Sequence, residues 1–229
     1  METEVRNRYL AHGTFEWRDI DEMFAERLAV EDFSGATVLD LGTGRGRLAL
    51  DLAPRAGIVV GIDTNEEALA AARDRARGLG ISNVNFISAD ADASNYRLIV
   101  RSPLDYVVAN HFMSEPAIRA SAIALRPGGR FLFACHHEDH WIESGRAGYF
   151  SFSLEGMRNL LTANSLTAEF LGIERLVVTY RSLEEVAEAE PGVHEKFLGD
   201  GRWPVLASRF GDGPARLTWS TLVGVAAKP

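Results

Sequence analysis

The sequence predicts an α/β protein with a doubly wound, mostly parallel sheet and helices on both faces. From Ala36 onward, short apolar runs alternate with amphipathic stretches, the rhythm of strands joined by crossover helices. The first of these runs ends in a glycine-rich turn that leads directly into a helical pattern. The composition is that of an ordinary globular chain, 46% hydrophobic and 24% charged over 229 residues. It excludes a disordered, collagenous or disulfide-stapled protein.

Taken in order, residues 1–35 are expected to be helical around 20–30, where Ile20, Met23, Phe24, Arg27 and Leu28 share one face, and to pack on the sheet or serve as a lid. Strands are expected at 37–41, 57–62, 84–88, 104–110, 130–135, 168–179 and 217–226, seven in all. Thr64-Asn65-Glu66-Glu67 reads as a capping box, and its Ala-rich helix should stop at Gly78 or Gly80. Ser114 and Ser153 can cap two further helices. Ser182-Leu183-Glu184-Glu185 opens an acidic helix that stops before Pro191 and leads into a loop carrying Phe197, Trp203 and Phe210. The segment 182–216 is read as an insertion between the last two strands of a single domain spanning 1–229.

Net charge and cysteine content narrow the class. With 32 acidic and 24 basic residues the formal charge is −8, so the average field repels phosphate backbones and argues against nucleic acid as a partner. All basic residues except Lys196 and Lys228 are arginine, scattered along the chain. The lone Cys135 has no partner in the chain, and no apolar stretch approaches a membrane span. A cytoplasmic protein without a membrane role, monomeric or homodimeric, is the expectation.

The strongest local signal is Val38-Leu39-Asp40-Leu41-Gly42-Thr43-Gly44-Arg45-Gly46. Glycines at such a turn let the backbone approach a ligand closely and adopt positive φ. A dinucleotide fingerprint would place its third glycine at 47, where Arg47 stands, so the spacing favours a different adenosyl cofactor. These residues resemble the first motif of the class I S-adenosylmethionine-dependent methyltransferases. The resemblance continues in register: Asp63 ends the second strand, Ala89-Asp90-Ala91 follows the third, 105–110 resembles the fourth-strand motif, and 125–130 resembles the turn before the fifth.

The resemblance implies a Rossmann-like seven-stranded sheet of order 3-2-1-4-5-7-6 with the last strand antiparallel. It also implies S-adenosyl-L-methionine as cofactor and S-adenosyl-L-homocysteine as product. Cofactor contacts then fall on Asp40, Gly42, Thr43, Gly44, Arg45, Gly46, Asp63 with Thr64, Asp90 with Ala91, and Asn110 with His111. Asp63 would accept from the ribose hydroxyls and Asp90 would meet the adenine, with Asp92 as a rival.

In such a site the protein positions an acceptor and excludes water, and a base is needed only where the acceptor must lose a proton. Four of the six histidines, at 111, 136, 137 and 140, sit at two expected strand ends. His136, His137 and His111 are the candidate catalytic residues. For the 136–140 segment a base, a metal ligand and a plain polar loop are all open readings; no standard metal spacing appears, and no metal is assigned. Asn110-His111-Phe112-Met113 departs from the Asp-Pro-Pro-Tyr type sequence of enzymes that methylate exocyclic base nitrogens. Trp141, Tyr149, Phe150 and Phe152 could wall an apolar acceptor. A small-molecule acceptor is therefore expected, with RNA or protein methylation and a nicotinamide-dependent oxidoreductase as alternatives.

Overall fold

The computed structural model describes residues 2–11, 22–148 and 150–229. Its strands are β1 (Glu2–Ala11), β2 (Thr37–Leu41), β3 (Ile58–Asp63), β4 (Val84–Ser88), β5 (Leu104–Asn110), β6 (Leu125–His137), β7 (Ser151–Phe152), β8 (Thr167–Tyr180) and β9 (Ala215–Ala227). The helices are α1 (Glu22–Ala29), α2 (Arg47–Leu52), α3 (Glu66–Gly78), α4 (Tyr96–Ile99), α5 (Glu115–Ala124), α6 (Leu154–Ala163), α7 (Leu183–Ala189), α8 (Pro191–Asp200) and α9 (Trp203–Phe210).

One sheet holds all nine strands of the described residues in the order β1-β8-β9-β6-β5-β2-β3-β4, with β7 paired to the end of β6. This corrects the expected seven-stranded sheet. β9 is antiparallel to both β6 and β8, and every other pair is parallel. The first added strand is β1, in a region expected to be helical or a lid. It lies parallel to β8, from Glu2 beside Phe170 to Ala11 beside Thr179. Only the later part of 1–35 is helical among the described residues, as α1, which buries Met23, Phe24 and Leu28.

The interior strands owe their place to near-continuous apolar runs, the pattern of strands covered on both faces. Val38, Leu39, Val59, Ile62, Val107, Val108, Phe131 and Leu132 are fully buried. One core cluster, including Leu41, Ile62, Met113 and Phe133, fills one side of the sheet, and a second, including Phe24, Ala49, Val59 and Leu132, fills the other. β8 and β9 run on past these clusters to a third, where Trp141, Phe197, Leu206 and Trp219 pack together. α7, α8 and α9 sit on that cluster, so the loop expected after Pro191 is instead two helices.

Local capping follows the side chains. Ser114 and Ser153 accept from Ala117 N–H at 3.1 Å and Gly156 N–H at 3.0 Å. At α3 the cap is Asn65 rather than Thr64: its side chain accepts from Ala68 N–H at 3.0 Å. The reason lies in Asp63, whose Oδ1 takes the Asn65 N–H at 2.8 Å and shifts the helix start by one residue.

Candidate active site

The carboxyl ends of β2 to β6 bring the loops 42–46, 63–65, 89–92, 110–114 and 136–141 to one edge of the sheet, the place where open α/β sheets bind ligands. Gly42, Gly44 and Gly46 have φ of 62°, 52° and 75°. A Cβ on Gly42 would lie 2.7 Å from Phe112 Cβ, and one on Gly46 would lie 2.7 Å from the Phe86 ring. Around Gly44 nothing lies within 4 Å of such an atom. The outer glycines let the turn pack, and the middle one leaves its backbone facing open space where a ligand can approach.

Two carboxylates fix this turn. Asp63 Oδ2 accepts from Gly44 N–H at 2.8 Å, and Asp40 Oδ2 accepts from the Thr43 hydroxyl at 2.6 Å. Asp40 is only 2% exposed, and burial pushes its carboxyl up to about 7. Thr43 N–H donates to Ile62 O at 2.9 Å, and the absence of a side chain on Gly61 leaves room for the Thr43 hydroxyl. Arg45 is exposed, and its carbonyl accepts from Arg75 Nη1 at 3.0 Å.

Beyond β4, Ala89 N–H donates to Asp63 O at 3.0 Å, which ties this turn to the end of β3. Asp90 is exposed and accepts from Asp92 N–H at 2.8 Å; buried Ala91 accepts the Tyr96 hydroxyl at 2.7 Å. Asp92, hydrogen-bonded by the Ser114 hydroxyl, lines the main cavity, whereas Asp90 does not. Asn110 and His111 part company at the end of β5. Asn110 lines a groove of about 240 Å³ with Phe24, Arg47 and Asp51. His111, at a left-handed φ of 56°, turns to the main cavity, and its N–H donates to Ala134 O at 2.8 Å.

That cavity, about 420 Å³, is lined from the strand side by His111, Phe112, Met113, His136, His140 and Trp141, and from the far side by Arg146, Lys196, Asp200 and Arg202. The ring centres of His111 and His136 are 5.4 Å apart, and those of His136 and His140 are 3.9 Å apart. His140 is 2% exposed, and its Nδ1 lies 3.1 Å from Ser220 N and 3.2 Å from Ser220 O, so the backbone of β9 fixes the ring. Burial, aided by His136 and His111, holds its pKa well below the usual 6.5, and the ring is neutral at physiological pH.

His137 follows the alternation of a strand and leaves the cavity. It is buried, accepts Asp139 N–H on Nδ1 at 3.2 Å, and sits beside the Asp139–Arg175 ion pair. Trp141 holds the backbone in the left-handed region at φ 57°, rare for a bulky residue, with its N–H donating to Thr218 O at 2.7 Å. Of the other expected aromatics, Phe150 lines the cavity, Phe152 packs against the core, and Tyr149 lies outside the described residues. Lys196 and Arg202 carry no local motif that marks them and are absent from the sequence assignment, which includes His140 only as part of the 136–140 segment and not among the candidate catalytic residues. Among the described residues no group of three or more His, Cys, Asp or Glu side chains could hold a metal ion, and no helix is long and apolar enough to cross a membrane.

Comparison with known proteins agrees with this geometry. A methyltransferase-domain family model matches residues 32–165, more than half of the chain. An uncharacterized methyltransferase of Bacillus subtilis, YcgJ, is 30% identical over 102 residues, covering 44% of this chain and 40% of the relative. A ribosomal protein L11 methyltransferase of Deinococcus radiodurans is 36% identical over 114 residues, 46% of this chain and 40% of the relative. The matches thus span less than half the length of these relatives. The crystal structure of YcgJ superposes with a TM-score of 0.67 at 19% identity, covering 93% of this chain and 99% of that one. A magnesium protoporphyrin IX methyltransferase of Synechocystis, solved with bound S-adenosylhomocysteine, gives 0.60 at 14% identity, covering 95% and 90%. Turn, sheet and family match agree, and the oxidoreductase alternative falls: the chain belongs to the class I S-adenosylmethionine-dependent methyltransferases.

Proposed function

We propose that the protein methylates a small molecule held in the cavity between the ends of β5 and β6 and the helices α8 and α9. The observation that carries this reading is the cavity itself. At about 420 Å³ it has the size of a small-molecule site, and Lys196, Asp200 and Arg202 of the 182–216 segment cover it from the far side. Arg126 and Arg130, at the start of β6, are far along the strand from His136 and are paired with Asp105, Glu31 and Glu169. The proposed setting is cytoplasmic.

When bound, S-adenosylmethionine supplies a methyl group activated by a sulfonium, and the chain has only to align an acceptor with it. The 42–46 turn receives the cofactor against the open face of Gly44. Each Asp63 oxygen spends one lone-pair direction on a backbone N–H and keeps capacity for a ribose hydroxyl. Ala91 with Asp90 or Asp92 faces the adenine, and Asn110 with His111 borders the methionine end. An acceptor proton passes to an imidazole nitrogen of His136 or His111, since burial disfavours the protonated form of His140. His137, away from the cavity, is not given a catalytic role.

Calorimetry with S-adenosylhomocysteine, followed by methyl labelling of cell-extract fractions, tests the reading. Binding and label in the low-molecular-mass fraction are expected. No heat at millimolar ligand, or label confined to RNA or protein, overturns it.

A further inference from the structure

Resting on the reading that the cavity takes the methyl acceptor, we propose that this acceptor is an anion: a small molecule with an aromatic or apolar body whose carboxylate or phosphate is bound by Arg202 and Lys196. Arg202 is 4% exposed. Its Nε and Nη2 donate to the Asp200 carboxylate at 2.9 and 2.6 Å, while Nη1 is buried with no hydrogen-bond acceptor among the described residues. A buried guanidinium N–H without an acceptor is costly, and an oxygen of a bound anion removes that cost.

The charge around it points the same way. Lys196 also lines the cavity, and no carboxylate of the described residues lies within ion-pair distance of its Nζ. Arg146 already shares Asp200, donating from Nη2 to its carbonyl at 2.8 Å. Lys196 and Arg202 therefore bring two cations to one carboxylate, Asp200, on this side of the cavity.

Trp141 orders the site. Its ring centre is 5.1 Å from Lys196 Nζ and 5.5 Å from Arg202 Cζ, and it is 4.3 Å from the ring of His140 and 6.3 Å from that of His136. It thus neighbours both the cations and the histidines. An acceptor bound by its anionic end lies along Trp141 and presents its other end to His136 and His111, so the methylated atom is remote from the anionic group.

Three probes with one body and different heads test this: phenylacetate, phenyl phosphate and the neutral phenylacetamide, titrated by calorimetry into the full chain. At least one anion should bind about tenfold or more tighter than the amide, and the stronger of the two identifies the head group. Lys196→Met, on the exposed face of α8, and Arg202→Lys, which keeps the charge but not the fork, should each reduce that preference by about threefold or more. Circular dichroism checks that both variants fold, and Lys196→Met decides the matter if Arg202→Lys does not. Equal binding of amide and anions, no binding of any probe at millimolar concentration, or a preference unchanged in a folded Lys196→Met overturns the proposal. S-adenosylhomocysteine is titrated in parallel. Its binding without an anion preference overturns the anionic acceptor and leaves the methyltransferase reading standing, and an anion preference without it does the reverse.

Discussion

At the scale of single residues, the three glycines of the 42–46 turn do different work, although they look alike in the sequence. A methyl group on Gly42 meets Phe112 at 2.7 Å in a left-handed backbone, while one on Gly44 meets nothing. Gly42→Ala should therefore lower stability by about 2–4 kcal/mol, combining the left-handed penalty with a clash, against about 1–2 kcal/mol for Gly44→Ala. Gly44→Ala should instead weaken S-adenosylhomocysteine, and thermal melts paired with calorimetry separate the two effects. Asp63→Ala removes a carboxylate that holds the turn and is proposed to hold the ribose; a loss of about 1.5–3 kcal/mol in cofactor binding is expected. Unchanged affinity would show that the ribose is held elsewhere. At this scale the sequence is legible where chemistry is local, as in a glycine turn or a carboxylate at a strand end. It is silent on parity: His136 and His137 are neighbours, and only the register of β6 sends one into the cavity and the other behind it.

Elements were legible according to their hydrophobic period. β2 matches its apolar run residue for residue, because a strand buried on both faces leaves an uninterrupted signature, and the edge strand β4 keeps its expected bounds although Asn85 and Ser88 are exposed. β1, Glu2–Ala11, has no such run, and its half-buried side chains include Glu4, Arg6 and Arg8. These residues are held by ion pairs that no periodicity displays: Arg6 with Glu26, and Arg8 with Glu22 and Glu174. Glu174, fully buried on β8, also accepts Met23 N–H at 2.9 Å and so joins β1, β8 and α1. Glu174→Ala leaves that N–H buried and unsatisfied and should cost about 1–3 kcal/mol in denaturant unfolding. Glu174→Gln keeps an acceptor and should cost less. An equal loss in both variants would mean that the charge, and not the hydrogen bond, ties these elements together.

For the whole molecule, burial of charge next to the site sets how stability responds to pH. Asp40 has its carboxyl raised from 3.8 to about 7, chiefly by burial, so the folded state prefers it protonated. Its contribution is fully present below 3.8 and is lost as pH rises through about 7. Asp40→Asn should remove this slope: relative to wild type its melting temperature should rise between about pH 4 and pH 7 and level off above that, and a constant difference across that window would refute the assignment. The sequence by itself determined the α/β class, the ligand turn at 42–46, Asp63 and the histidine-rich end of the fifth predicted strand, because these depend on short-range periodicity and turn chemistry. Only the tertiary structure decided that a charged segment becomes the edge strand β1. It alone brought Lys196 and Arg202 over Trp141 and left Arg202, a residue of the cavity lining, with a buried Nη1 that has no acceptor among the described residues. Those arrangements join residues 55 to 168 positions apart, and distant contacts of that kind are made by packing and long-range pairing, which leave no trace in a local window of sequence.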